Sequence, residues 1–243
     1  MVEEREKSGR AVKSLKIGGK EGKMMLEAVL FDMDGVLIDS EPWHLEANRE
    51  LCAELGFKLR MEEYANFIGK SSSEKWTYFK TKYDLGPTVP ELVERENRKN
   101  IQMIPDNGEG LIKGVLPLLQ TLQERGVGCG VASSSPLAYI EAVLEKYKLY
   151  PFFQAVVSGE NMAKGKPAPD IFLHTAKLLG AHPEHCVVIE DSEHGVQAAK
   201  AGRMKCIGFK NKNSGEQDLS PADLIVDSLE AISFHSLESL LYC

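Results

Sequence analysis

The sequence has no Cys-x-x-Cys pair, no surplus of positive charge and no apolar run approaching the roughly 20 residues that a membrane-spanning helix needs. Its five cysteines, Cys52, Cys129, Cys186, Cys206 and Cys243, are odd in number and widely spaced. That excludes a regular disulfide framework and points to reduced, core-filling thiols in a cytoplasmic chain. The net charge of -7 excludes bulk attraction to nucleic acid or to acidic membrane surfaces. No apolar core segment falls within the first 23 residues, so a secretory signal peptide is not expected there.

The 243 residues are 43% hydrophobic and 27% charged, which suits one large α/β domain or a core with a smaller insertion. Residues 1–23 hold seven Lys/Arg and few large apolar side chains, and so read as a flexible N-terminal extension. A leader, or a true start at Met24 or Met25, would also account for them, and a basic docking tail is a less favoured alternative.

From Glu27 onward, short apolar runs alternate with helical patterns. Strands are expected at Glu27–Asp32, Val127–Ala132, Ala155–Ser158, Cys186–Glu190, Cys206–Phe209 and Leu224–Val226. Helices are expected at Lys113–Arg125, Pro136–Tyr147, Asp170–Leu179 and His194–Ala201. Nearly continuous apolar strands separated by helices imply a Rossmann-like parallel sheet covered on both faces. The stretch 42–107 is too long for one crossover and is rich in helix formers. Leu45, Leu51 and Leu55, and then Trp76 and Phe79, recur at helical spacing. An inserted helical domain is expected there, with hinges near Asp39–Pro42 and Pro105–Gly110. The α/β core would then comprise residues 24–41 and 108–243.

Four polar clusters follow predicted strands. Asp32 and Asp34, in Phe31-Asp32-Met33-Asp34-Gly35-Val36, come after the first. Ser133-Ser134-Ser135 follows the second. Lys166, in Lys166-Pro167-Ala168-Pro169-Asp170, comes soon after the third, and Glu190-Asp191-Ser192 after the fourth. In a parallel sheet all four converge at the carboxyl edge, where open α/β folds bind ligands. Crowded acids ask for a cation, a division into acid and base, or both. A nucleophilic carboxylate, hydroxyl and amide donors, a lysine and a second acidic pair are the parts that phosphoryl chemistry requires.

Those four motifs, in that order, resemble the haloacid dehalogenase superfamily, and the insertion is similar to its helical cap. The nearest branch resembles β-phosphoglucomutases and sugar phosphatases. The resemblance implies that Asp32 is the nucleophile forming an aspartyl-phosphate, and that Asp34 is the general acid/base. It implies that Ser133, with the Ser134 amide, and Lys166 bind the phosphoryl oxygens. It also implies Mg²⁺ held by Asp32, the Asp34 carbonyl and Asp191, with Glu190 supporting it. Ser133 has a second reading as a helix N-cap ahead of Pro136, and Ser192 reads as a helix cap. At the cap hinge, Glu41 and His44 match substrate-contacting or gating positions, and hinge geometry or packing is their plainer alternative. The implied partner is a small phosphorylated metabolite, and the protein is expected to be a monomer or weak homodimer.

Water or a sugar hydroxyl can resolve an aspartyl-phosphate, which separates phosphatase from mutase. The mutases' cap arginine aligns with Ser72, their second cationic cap residue with Gln102, and the asparagine after their serine loop with Leu137. These three departures favour hydrolysis. Lys70, Lys75, Arg98 and Lys99 are candidate replacements for the missing charge, with Lys70 the substrate-binding choice. A non-catalytic binding role is the reading from another class.

Overall fold

The computed structural model describes residues 25–67, 71–106 and 108–242. The extension expected over 1–23 and the candidate Lys70 lie outside these residues. Six strands form one parallel sheet: β1 (Ala28–Phe31), β2 (Gly128–Ser133), β3 (Ala155–Ser158), β4 (Cys186–Glu190), β5 (Lys205–Phe209) and β6 (Leu224–Val226). Their order is β3-β2-β1-β4-β5-β6, with every neighbouring pair parallel. The expected α/β sheet is therefore present. Strand order reverses beside β1, which opens the ligand crevice at its carboxyl end.

Successive side chains along a strand face opposite ways. Val29, Phe31, Val187 and Ile189 join one core with Val115, Leu119, Ile140 and Val143. Those four come from α5 (Val115–Glu124) and α6 (Leu137–Lys146). Ala28, Leu30, Cys186 and Val188 join a second core with Phe172, Ala176, Val196 and Ala199. These last belong to α7 (Asp170–Leu179) and α8 (Glu193–Ala201). Burial on both faces explains why the strands read as unbroken apolar runs.

Between β1 and β2 the chain forms α1 (Glu41–Glu54), α2 (Met61–Ala65), α3 (Ser72–Tyr83) and α4 (Val89–Met103). Capping boxes at Ser71/Glu74 and Thr88/Glu91 start α3 and α4. This helical cap has its own apolar cluster, built on Leu51, Tyr64, Trp76, Phe79 and Leu92.

Local chemistry trims several expected helices. Gly114 takes φ 96°, so α5 begins at Val115 rather than at Lys113. Pro136 is extended, and α6 begins one residue after it. A last helix, α9 (Phe234–Leu240), was not expected from the sequence; it buries Leu237 and Leu240 and is capped by Ser233. Cys52, Cys129, Cys186 and Cys206 are buried and free. Among the described residues, no helix is long and apolar enough to cross a membrane.

Candidate active site

The site starts where β1 stops. The backbone N–H of Asp32 still donates to the Ile189 carbonyl of β4, at 3.0 Å, so the ladder extends one residue past the strand and fixes Asp32 at the sheet edge. The chain then folds back, with Gly35 N donating to Ile38 O at 2.7 Å and Leu37 N to Met33 O at 2.9 Å. Gly35 has φ 81°, and a Cβ there would lie 1.9 Å from Asp191 Oδ2. Glycine satisfies both demands: a left-handed backbone and close approach of the β4 acid to the β1 loop.

Lys166 joins two strands' acids. Its Nζ donates to Asp32 Oδ1 at 2.5 Å and to Glu190 Oε1 at 2.6 Å. Its side chain and those of both partners are less than a tenth exposed. The other Glu190 oxygen accepts from Ser192 N at 2.8 Å and from Ser192 Oγ at 2.9 Å. Ser192 also caps α8, accepting from Gly195 N at 3.1 Å. On the far side of the loop, Ser214 donates its hydroxyl to Asp191 Oδ2.

One lysine thus faces three buried acids: Asp32, Glu190 and Asp191. Burial pushes the Asp32 carboxyl up to about 7; Lys166 opposes this, while Glu190 and Asp34 add to it. Burial likewise raises Asp191 well above the carboxylate range, reinforced by Glu190 and Asp32. For Lys166, burial favours the neutral amine, but Asp32 and Glu190 overcome it and raise its pKa. Lys166 is a cation throughout, and one lysine cannot balance all three acids once they ionise.

Asp34 sits in a different environment. Ser40 Oγ donates to its Oδ1 and Ser135 Oγ to its Oδ2, each at 2.6 Å. Ser133 Oγ approaches Oδ2 at 3.5 Å, beyond the usual range for a hydroxyl donor. Ser133 instead accepts from Ser135 N at 3.1 Å, which shapes the serine loop. It does not cap α6, whose N-cap residue is Pro136, with no side-chain bond. His44 Nε2 lies 3.9 Å from Asp34 Oδ1 and meets the Tyr139 hydroxyl at 2.9 Å. That hydroxyl also accepts from Trp43 Nε1 at 2.9 Å. Burial lowers the His44 pKa, against the pull of Asp34 and Glu96, and so favours neutral imidazole.

The structure thus brings Asp32, Asp34, Ser133, Lys166, Glu190, Asp191 and His44 to one edge. Ser134 is exposed beside them. Glu41 opens α1; its carboxylate accepts from Tyr64, and its buried Oε1 has no partner among the described residues. Glu190, read as a metal support, spends both oxygens on Lys166 and Ser192. Sequence reasoning missed Ser40, Ser135, Tyr139 and Ser214, along with Asn211, whose Nδ2 donates to Gly35 O at 2.9 Å. Ser135 was within a noticed motif and Ser40 within the noticed hinge at Asp39–Pro42, each without a role; the others had no neighbouring pattern to mark them.

Asp32 and Asp191, with the Asp34 backbone carbonyl, offer an all-oxygen donor set suited to a hard divalent cation. Acids that one lysine cannot balance once ionised, and the close approach permitted by Gly35, both fit such an ion.

A family model described as haloacid dehalogenase-like hydrolase matches residues 29–209. Hexitol phosphatase B of Escherichia coli is 36% identical over 184 residues, covering 74% of this chain and 82% of its own. The β-phosphoglucomutase of Bacillus subtilis is 34% identical over 208 residues, covering 83% and 89%. Among solved structures, a variant of CbbY from Rhodobacter sphaeroides, in complex with xylulose-1,5-bisphosphate, superposes with a TM-score of 0.77 at 25% identity. That match covers 86% of this chain and 97% of the other. Sheet order, helical insertion and sequence agree: the chain belongs to the haloacid dehalogenase-like hydrolases.

Proposed function

We propose that this enzyme hydrolyses the phosphate monoester of a small sugar or polyol, with Mg²⁺ as cofactor and an aspartyl-phosphate on Asp32 as intermediate. The observation that carries this reading is the contrast between two acids two residues apart. Asp32 is buried against Lys166 with one oxygen engaged. Asp34 is half-buried, with both oxygens held by serine hydroxyls. This contrast supports nucleophilic attack by the first and proton transfer by the second.

When bound by Asp32, Asp191 and the Asp34 carbonyl, Mg²⁺ supplies the positive charge that lets a carboxylate approach a phosphate. The remaining work falls to the chain. Lys166 and the serine loop at Ser133 and Ser134 bind the phosphoryl oxygens. An Asp32 oxygen forms a bond to phosphorus while the ester P–O bond breaks, and Asp34 delivers its proton to the leaving oxygen. Asp34, now a carboxylate, then takes a proton from water as the water oxygen attacks phosphorus. The bond to Asp32 breaks, and inorganic phosphate leaves. Glu190 anchors Lys166. The orphaned Glu41 Oε1 accepts a substrate hydroxyl, and neutral His44 borders the leaving group. The cap, residues 42–107, closes over the substrate, and buried free cysteines fit a cytoplasmic setting.

Hydrolysis rather than isomerisation is supported by the cap's cations. A sugar bisphosphate needs a second phosphate site, yet Lys75 pairs with Glu96, Arg98 with Glu94, and Lys99 with Glu50 and Glu54. Lys70, the fourth candidate, is outside the described residues. Hexitol and hexose phosphates form the test panel, following the relatives' named substrates. Phosphate release should need Mg²⁺ and stop with a chelator. Asp32→Asn should lower kcat on the order of 10³-fold or more, with an unchanged circular dichroism spectrum. Near-normal turnover of that variant would remove Asp32 as nucleophile. Isomerised sugar phosphate without free phosphate would make the enzyme a mutase.

A further inference from the structure

A second cluster lies at the opposite edge of the sheet. Glu27 immediately precedes β1, and the turn His182-Pro183-Glu184-His185 immediately precedes β4. The two strands pair with Ala28 opposite Cys186, so register alone sets Glu27 beside His185. Backbone bonds lock the arrangement: Glu27 N donates to His185 O at 3.0 Å, and His182 N donates to Glu27 Oε2 at 2.7 Å. Pro183–His185 is a 3₁₀ turn closed by His185 N to His182 O at 2.9 Å. In such a turn residues three apart lie over one another, which aligns the two imidazoles.

Both rings turn the same atom toward the carboxylate. His185 Nδ1 is 3.0 Å from Glu27 Oε1, and His182 Nδ1 is 3.2 Å from Oε2. One ligand atom from each of the three residues lies within 4.8 Å of the others. Tetrahedral zinc with bonds of about 2.0–2.1 Å sets its ligands roughly 3.3 Å apart. Taken to the single oxygen Glu27 Oε1, the nitrogen–oxygen separations are 3.0 Å for His185 and 3.4 Å for His182, close to that spacing. At ~3.3 Å per residue, Glu27 and Asp32 are about 16 Å apart along one strand, so this cluster is separate from the phosphoryl site.

We propose that Glu27, His182 and His185 form a binding site for Zn²⁺, three protein ligands with water completing the tetrahedron. Both histidines ligate through Nδ1 as neutral rings, each carrying its proton on Nε2. Imidazole and carboxylate ligands select a borderline transition metal over Mg²⁺. The ion fastens the start of β1 to the start of β4 and takes no part in hydrolysis.

The test is calorimetric titration of Zn²⁺ into metal-free full-length protein in millimolar Mg²⁺, paired with thermal melts. Wild type should bind one equivalent with micromolar affinity. Zn²⁺ at 100-fold over its Kd should raise Tm by about 5–10 °C. His182 is 78% exposed, so His182→Ala should keep the fold and basal phosphatase activity. It should weaken this binding at least tenfold and abolish the Tm shift, as should His185→Gln. Absence of zinc binding by wild type, or a titration in either variant within tenfold of wild type, would overturn the assignment.

Discussion

Glu41 shows how strongly one position can depend on its surroundings. It opens α1 soon after the Asp32–Gly35 loop, where burial raises its carboxyl from 4.5 to about 7. Tyr64 and Lys75 pull the other way, while Asp34 and Asp39 add to the rise. A carboxyl raised on folding holds its proton more tightly in the native state. Its stabilising contribution is therefore full below about pH 4.5 and lost as pH climbs through about 7. Glutamine keeps the shape and cannot ionise. Between about pH 5 and 8, Glu41→Gln should gain on wild type by roughly 1–3 kcal/mol, allowing for solvent at a half-buried group. Urea unfolding of the ligand-free proteins at the two pH values measures this, and a difference that does not move with pH would refute the burial argument. Legibility at this scale divides by chemistry. Asp32, Asp34, Lys166 and Asp191 stand in short motifs at strand ends, where their charge draws notice. Ser40, Tyr139 and Ser214 are neutral hydroxyls with no charge to draw notice, and only folding shows what they touch.

At the scale of elements, the site depends on how closely α8 approaches the end of β4. Gly195 lies in the first turn of that helix, and a Cβ there would sit 1.8 Å from Glu190 Oε1. Glu190 cannot yield freely, because the same oxygen accepts from Lys166 and its partner oxygen is held by Ser192. In an open helix, glycine to alanine stabilises by up to about 1 kcal/mol. Here the added methyl must displace the carboxylate that steadies Lys166. Gly195→Ala should therefore destabilise by about 1–3 kcal/mol and lower kcat at least tenfold. A variant that melts higher than wild type and turns over normally would show that α8 can shift without disturbing the site. The glycine was visible in the sequence. Its reason was not, because close packing of helix on strand joins side chains through space.

For the molecule as a whole, the parallel sheet was readable because double-sided burial leaves unbroken apolar runs. The cap was readable as an inserted helical domain, from a stretch too long for one crossover and from apolar residues at helical spacing. What holds the cap was hidden, since Lys75, Glu96, Asn48 and Trp76 read individually as ordinary helix residues. Folded, they form a buried network. Glu96 accepts from Lys75, from Trp76 Nε1 at 2.6 Å and from Asn48 Nδ2 at 3.1 Å. Burial pulls the Glu96 carboxyl up, but Lys75 and these hydrogen bonds together bring it below its usual range. A depressed carboxyl stabilises above its unfolded range, and that contribution is lost in acid. Lys75→Met keeps much of the apolar stem and strands the charge, which should cost about 3–5 kcal/mol at neutral pH. The deficit should shrink as the pH is lowered, because Glu96, no longer held down by Lys75, takes up a proton. Because the cap carries its own apolar cluster, the loss should fall there first. The chain has two tryptophans, Trp76 inside that cluster and Trp43 against Tyr139 of the core. Tryptophan fluorescence of the variant should change at lower urea than the far-ultraviolet signal of the sheet. Coincident transitions at the wild-type midpoint would mean that the buried pair contributes nothing to holding the cap.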